Sequence, residues 1–366
     1  DQLRAQLSFR LTGAQERVLT EIEADLARPE PMLRLVQGDV GSGKTLVALL
    51  AMLHTIDNGW QAAFMAPTEI LAEQHARNLT QWLAPMGISV VLLLGKQTKK
   101  QRAEALAQVA AGAACVVGTH AVFQPDVQYR KLGLVIVDEQ HRFGVDQRLL
   151  LREKGRQQGV VPHQLIMTAT PIPRTLAMSM YADLDFSVID ELPPGRQAIV
   201  TSVLSNAQRD RVVSRVREAC QERRQVYWVC TLIDESEELQ AQAAEELFTQ
   251  LKGALAPFRV ELIHGRMKNS EKMAVMNAFQ AAEVQVLVAT TVIEVGVDVP
   301  NASVMIIENA ERLGLSQLHQ LRGRVGRGSA DSYCLLLYHA PLSQTSKARL
   351  NTMRSTQDGF QIAEQD

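Results

Sequence analysis

Short apolar runs along this 366-residue chain alternate with longer segments whose apolar positions recur at helical spacing. The runs lack the in-out alternation of a half-exposed strand, so they predict strands buried on both faces, and the longer segments predict helices that cover them. In chain order the expected strands are 32–36, 61–66, 88–94, 115–117, 134–137 and 164–168, with helices over 12–27, 44–56, 69–83 and 99–110. Pro67, Gly87, Gly95 and Gly112 fall at the joints. The rhythm stops at 190–197, DELPPGRQ, because Pro193, Pro194 and Gly195 continue neither a helix nor a central strand. It resumes with strands at 198–204, 225–229, 260–263, 285–289, 303–307 and 332–337 and helices at 207–221, 236–251 and 270–279. Strand alternating with helix predicts an α/β fold of two doubly wound parallel-sheet lobes, residues 1–190 and 198–342, followed by residues 343–366.

Composition changes this picture little. Hydrophobic residues make up 46% of the chain, enough for two cores of ordinary size. Lys and Arg number 38 against 40 Asp and Glu, a net charge of -2, so a nucleic acid would have to be held by local basic surface. Cys115, Cys220, Cys230 and Cys334 show no C-x-x-C spacing, which favours buried free thiols in a reducing cytoplasm over disulfides or zinc. No apolar run reaches membrane-spanning length and no secretory leader pattern opens the chain, so a cytoplasmic protein without a membrane partner is expected. Trp60, Trp82 and Trp228 lie in apolar patterns and are expected in the cores. The abrupt opening and the end at Asp366 suggest a piece of something longer.

One stretch is far more specific than the rest. Residues 38–45, GDVGSGKT, satisfy the phosphate-binding pattern G-x-x-x-x-G-K-S/T at every fixed position, between an expected strand and an expected helix. Gly38, Gly41 and Gly43 let backbone N–H groups turn toward an anion, Lys44 reaches the outer phosphates, and Thr45 offers Mg²⁺ a hydroxyl. An ATPase is the expected activity, with ATP and Mg²⁺ as its cofactors. Residues 134–139, LVIVDE, end in two acids at the sheet edge where open α/β sheets bind ligands. Asp138 there can hold Mg²⁺ and Glu139 can polarise the attacking water; two solvated acids at a strand end are the plain alternative. His141, beside that base, has a place from which to couple the site to other parts.

Other segments carry weaker signals. Thr12 and Gln15 have capping-box spacing, while a Gln amide with Phe9 just upstream could pair with and stack on adenine. In 168–175, TATPIPRT, Thr168 and Thr170 could bridge the site to the other lobe or merely turn the chain before Pro171 and Pro173. Residues 320–327, QLRGRVGR, put Arg324 and Arg327 on one face if the segment is helical, where the pair could grip a γ-phosphate; a solvated basic turn is the alternative. Thr290, Gly296 and Asp298, in 289–298, are placed to touch phosphate or ribose. The second lobe has no phosphate loop of its own.

In order, GDVGSGKT, APTEILAEQ, GTHA, DEQH, TATPIPRT, ATTVIEVGVD and QLRGRVGR resemble the motif series of superfamily 2 helicase motors, over essentially the whole chain. LTGAQ at 11–15, DEQHRFGVDQR at 138–148, DELPPGR at 190–196 and DGFQIAEQD at 358–366 are similar to the RecG family of bacterial ATP-dependent DNA helicases. The resemblance implies RecA-like lobes with a nucleotide cleft between them and the start of a C-terminal helical hairpin at 343–366. It implies phosphate and metal binding at Lys44 and Thr45 within Gly38, Gly41, Ser42 and Gly43, Asp138 as metal ligand and Glu139 as base. Phe9 and Gln15 would hold adenine, Arg324 and Arg327 would be arginine fingers, and Gly296 and Asp298 would lie at the nucleotide. His141, Thr168, Thr170 and Gln320 would couple the parts, and Pro67, Thr68, Gly118, Thr119 and Thr290 would contact the backbone of duplex or branched DNA, such as forks and Holliday junctions, without regard to sequence.

The departures from the family are few. Val295 stands where RNA helicases of the superfamily often carry Arg, which disfavours an RNA substrate. The family's N-terminal wedge domain has no counterpart here, so this stretch alone is expected to hydrolyse ATP weakly and unwind little. The motor of the transcription-repair coupling factor shares DE-x-H-R-F-G-V and TATPIPRT but not the DELPPGR linker. An ATP-gated nucleic-acid clamp without turnover would have no need of Glu139, Arg324 and Arg327, which are all present.

Overall fold

A computed structural model of the chain describes residues 2–138, 159–170, 184–193, 195–231, 236–290 and 298–365. The chain divides into two compact units, Asp1–Pro193 and Pro194–Asp366. In the first, helices α1 (Gln2–Gln6) and α2 (Gly13–Leu26) precede β1 (Leu33–Gly38), α3 (Lys44–Asp57), β2 (Gln61–Met65), α4 (Glu69–Leu83) and β3 (Val90–Leu93). Then come α5 (Lys99–Ala111), β4 (Cys115–Gly118), β5 (Leu132–Asp138), β6 (His163–Thr168) and β7 (Asp185–Ile189). The strands form a parallel seven-stranded sheet in the order β3-β4-β2-β5-β6-β1-β7. Both faces are apolar, as the uninterrupted runs require: Val36, Phe64, Ile136 and Met167 meet Val47 of α3 and Leu79 of α4, and Leu35, Ala63, Val135 and Ile166 meet Val109 of α5.

The second unit holds β8 (Ile199–Ser205), α6 (Arg209–Gln221), β9 (Gln225–Cys230), α7 (Glu237–Ala254), β10 (Val260–Ile263), α8 (Asn269–Gln280) and β11 (Val286–Thr290). It continues with β12 (Ala302–Ile307), α9 (Leu315–Arg322), β13 (Ser332–Tyr338), α10 (Gln344–Ser355) and α11 (Gly359–Glu364). Its parallel sheet runs β10-β11-β9-β12-β13-β8, which repeats the first sheet strand for strand up to the β7 edge. β7 is the strand that sequence patterning does not reveal. It pairs with β1 at the sheet edge, so only Ser187 and Ile189 of its five residues are buried, and DFSVI shows no continuous apolar run.

The repeat extends to one side-chain device. At the start of β2, Gln61 Nε2 donates to the carbonyls of Val109 and Ala113, both at 2.9 Å, and its Oε1 accepts from Lys131 N–H at 2.8 Å. At the start of the equivalent β9, Gln225 Nε2 donates to the carbonyls of Phe279 (2.5 Å) and Val284 (2.7 Å), and its Oε1 accepts from Asn301 Nδ2 (3.2 Å). Each amide thus binds one carbonyl in the last turn of a covering helix and one just past its end, tying the helix exit to the neighbouring strand. Gln61→Leu and Gln225→Leu are each expected to lower unfolding free energy by about 1–3 kcal/mol, the cost of a buried polar group left unpaired. Urea denaturation checks this, and an unchanged midpoint would refute the role.

All four cysteines are free and buried. Burial pushes the thiols of Cys115, Cys230 and Cys334 up to about 12 and that of Cys220 up to about 11. Trp228 is fully buried, whereas Trp82 is a half-buried edge of the first core and Trp60 is half-buried with Lys131 Nζ 4.1 Å from its ring centroid. Among the described residues no helix is long and apolar enough to cross a membrane.

Candidate functional site

β1 delivers the chain into the phosphate loop at the sheet's carboxyl edge. A Cβ on Gly38 would lie 2.5 Å from Ser42 Oγ, and Gly41 and Gly43 take φ of +80° and +86°, a region that favours glycine. Gly43 caps α3, whose first-turn N–H groups and dipole make an anion site. Lys44 Nζ folds back to donate to the carbonyls of Gly38 (2.5 Å) and Asp39 (3.0 Å). Ser42 Oγ is buried with no partner among the described residues. This combination of an orphaned hydroxyl, a folded-back ammonium and a close-turning backbone fits a polyphosphate.

Thr12 and Gln15 form the capping box, with Gln15 N–H donating to Thr12 Oγ1 at 3.2 Å and Thr12 N–H to Gln15 Oε1 at 2.9 Å. Gln15 also does something that spacing does not show: its Nε2 donates to the carbonyl of Ser42 at 2.8 Å, bracing the loop. A Cβ on Gly43 would collide with that amide at 2.1 Å, a second reason for glycine there. Phe9 is 49% exposed, open to a stacking partner.

Asp138 closes β5 at the same sheet edge. Its Oδ2 lies 3.0 Å from Nε2 of His75 on α4, and the two side chains are 14% and 8% exposed. The His75 ring packs on Phe64 with centroids 4.5 Å apart. Sequence reading passed over His75 because its place on α4 gives no local sign of a partner in β5. Thr45, half-buried in the first turn of α3, and Asp138 are hard oxygen donors of the kind Mg²⁺ takes when substrate phosphates complete its shell. Among the described residues no cluster of three His, Cys, Asp or Glu is placed to hold a metal, and a nucleotide-shared Mg²⁺ needs none. Thr168 is buried and its Oγ1 accepts from Thr170 N–H at 3.1 Å, the turn geometry named as the alternative. Glu139, His141 and Gly296 lie outside the described residues.

In the second unit the expected helical face for Arg324 and Arg327 is overturned. α9 ends at Arg322, and both arginines follow it, Arg324 in a turn and Arg327 in irregular chain. Gly323 occupies the C-cap, Gly326 takes φ +84°, and a Cβ on Gly328 would lie 2.4 Å from the carbonyl of Pro300, so glycine breaks the helix the spacing allowed. Nor is the turn a solvated one. Arg327 Nη1 pairs with Asp298 Oδ1 at 2.9 Å, the arginine side chain being only 16% exposed. The phenol of Tyr227, buried without a partner among the described residues, is pushed up to about 12 by burial, against the pull of nearby Arg324 and Arg327. Gln320 is half-buried on α9.

The expected DNA contacts divide. Pro67 and Thr68 are half-buried at the start of α4, where Thr68 Oγ1 caps the helix by accepting from Leu71 N–H at 3.3 Å. Gly118, Thr119 and Thr290 are buried, contrary to the open surface that a direct contact needs. Gly118 has a packing reason instead, since a Cβ there would meet the carbonyl of Leu93 at 2.1 Å, and Thr119 N–H donates to that same carbonyl at 3.3 Å.

Known proteins resemble this chain over nearly its whole length. The DEAD/DEAH box helicase family model matches residues 12–179, and that of the helicase conserved C-terminal domain matches residues 209–329. The ATP-dependent DNA helicase RecG of Pasteurella multocida is 64% identical over 364 residues, 99% of this chain and 52% of the relative. The RecG of Escherichia coli K12 is 62% identical over 368 residues, 100% of this chain and 53% of the relative. The chain therefore spans about half the length of the curated relatives it matches. A solved structure of RecG bound to a three-way DNA junction matches with a TM-score of 0.84 and 42% identity, over 99% of this chain and 47% of that one. The helicase MrfA bound to DNA matches at 18% identity with a TM-score of 0.72, over 96% of this chain and 52% of that one, a likeness of fold alone.

Proposed function

We propose, for a chain that belongs to the superfamily 2 helicases and within them to the RecG family, that it is the ATP-hydrolysing motor of a translocase acting on duplex or branched DNA in recombination and repair. The observation that carries the reading is the phosphate loop, with Lys44 folded onto its own carbonyls, in a sheet where β5, separated from β1 by β6 alone, ends in Asp138. In this account Lys44 leaves those carbonyls for the outer phosphates of ATP, and the N–H groups of the loop and of α3 hold the phosphate oxygens. Thr45 and Asp138 would hold Mg²⁺, which when bound neutralises charge on the β- and γ-phosphates. Glu139 orients and deprotonates the attacking water, and Arg324 and Arg327 bring positive charge to the γ-phosphate as it leaves. Phe9 and Gln15 would hold the adenine, Gln15 through the amide hydrogen that Ser42 does not use. Residues 343–366, here α10 and α11, would begin the translocating hairpin.

DNA is engaged through its backbone in this reading, with the start of α4 at Pro67 and Thr68 the most open candidate contact. Affinity is then expected to fall steeply and log-linearly with salt and to be nearly the same for unrelated base sequences. Fluorescence anisotropy with labelled forks of different sequence at several salt concentrations measures both. A strong sequence preference at physiological salt would contradict a backbone-reading motor.

A further inference from the structure

The contact between His75 and Asp138 joins a helix to the candidate metal site. A carboxylate can only accept, so in the 3.0 Å contact His75 Nε2 is the donor, while Nδ1 is buried and without a partner among the described residues. Such an arrangement uses a buried ring nitrogen to fix one oxygen of Asp138, the other having no hydrogen bond among the described residues. The imidazole cannot easily swing away, because it is 8% exposed and lies against Phe64 of β2, which pairs with β5 at Ile136. Asp138 is thus gripped from outside its own strand, at a fixed distance from the sheet, by a residue two turns into α4, the helix capped by Thr68.

We propose that His75 is a positioning residue for the ATPase site: it orients the Asp138 carboxylate so that one oxygen faces the Mg²⁺ of Mg²⁺–ATP and so sets the metal affinity of the nucleotide complex. The proposal rests on the reading of Asp138 as a metal ligand. Partners that orient metal ligands typically change metal affinity or activity by about 10–100-fold when lost.

Two substitutions separate orientation from packing. His75→Phe keeps a ring against Phe64 and removes the donor; His75→Gln loses the ring and keeps an N–H within reach of the carboxylate. The measurement is Mg²⁺ titration of fluorescent ADP-analogue binding to the full-length natural protein, with the melting temperature recorded alongside. Orientation by His75 predicts that His75→Phe raises the half-saturating Mg²⁺ concentration about 10-fold or more with little change in melting temperature, and that His75→Gln stays within about 3-fold of the parent. The reverse order, with Phe like the parent and Gln impaired, would make His75 a packing residue and overturn the proposal, as would equal Mg²⁺ dependence in all three. Asp138→Asn serves as the control: if it too leaves the Mg²⁺ titration unmoved, the metal-site reading itself fails, whereas a shift in Asp138→Asn with none in His75→Phe rejects the His75 role alone.

Discussion

Arg327→Ala is expected to cut ATP turnover by roughly 10³-fold or more, with a much smaller loss of ATP affinity, because an arginine finger acts on charge that develops only in the transition state. The side chain is already largely withdrawn from solvent and held by Asp298 at 2.9 Å, so little conformational freedom has to be lost when it meets a phosphate. That ion pair also supplies the control. Asp298→Ala removes the restraint but leaves the guanidinium, and it is expected to reduce turnover far less than loss of the arginine. Equal losses in the two variants, read in steady-state hydrolysis at saturating ATP, would assign the effect to the ion pair and remove Arg327 from the chemistry.

Lys44→Ala is expected to abolish nucleotide binding at working concentrations. Truncating one member of a desolvated charge pair costs about 2–5 kcal/mol, which is roughly 30- to 4,000-fold in affinity. The nucleotide-free fold is expected to survive, since the bonds described for the ammonium there run to backbone carbonyls of the phosphate loop, those of Gly38 and Asp39, and not to side chains of the core. Glu139→Gln is expected to behave in the opposite way, binding ATP but hydrolysing it about 10²-fold more slowly or worse. Equilibrium binding of a fluorescent nucleotide beside single-turnover hydrolysis separates the two, and normal hydrolysis by the Glu139 variant would remove it as base.

Much of this was legible in the sequence because the chemistry is local. The phosphate loop is set by glycines a few residues apart, and the buried parallel strands follow from runs too apolar to face water on either side, as in 134–137. What was not legible depended on residues far apart in the chain. His75 and Asp138 are separated by 63 positions, and Gln15 reaches Ser42 across 27, so neither bond leaves a periodic signal. β7 was hidden because an edge strand buries only some of its residues, and Arg324 and Arg327 share no helical face because Gly323 caps the helix before them and Gly326 turns the chain between them. Gly118 carries a similar lesson: the close approach of Leu93 is sufficient reason for a glycine that a motif alone assigns to DNA.

The measurement that bears most directly on the account is steady-state ATP hydrolysis by the full-length natural protein, with and without a branched DNA, in parallel with its Lys44→Ala variant. The account predicts Mg²⁺-dependent hydrolysis that branched DNA of any sequence stimulates, that added salt reduces again, and that the variant lacks. Hydrolysis that branched DNA leaves unchanged, or that persists without Lys44, would contradict it.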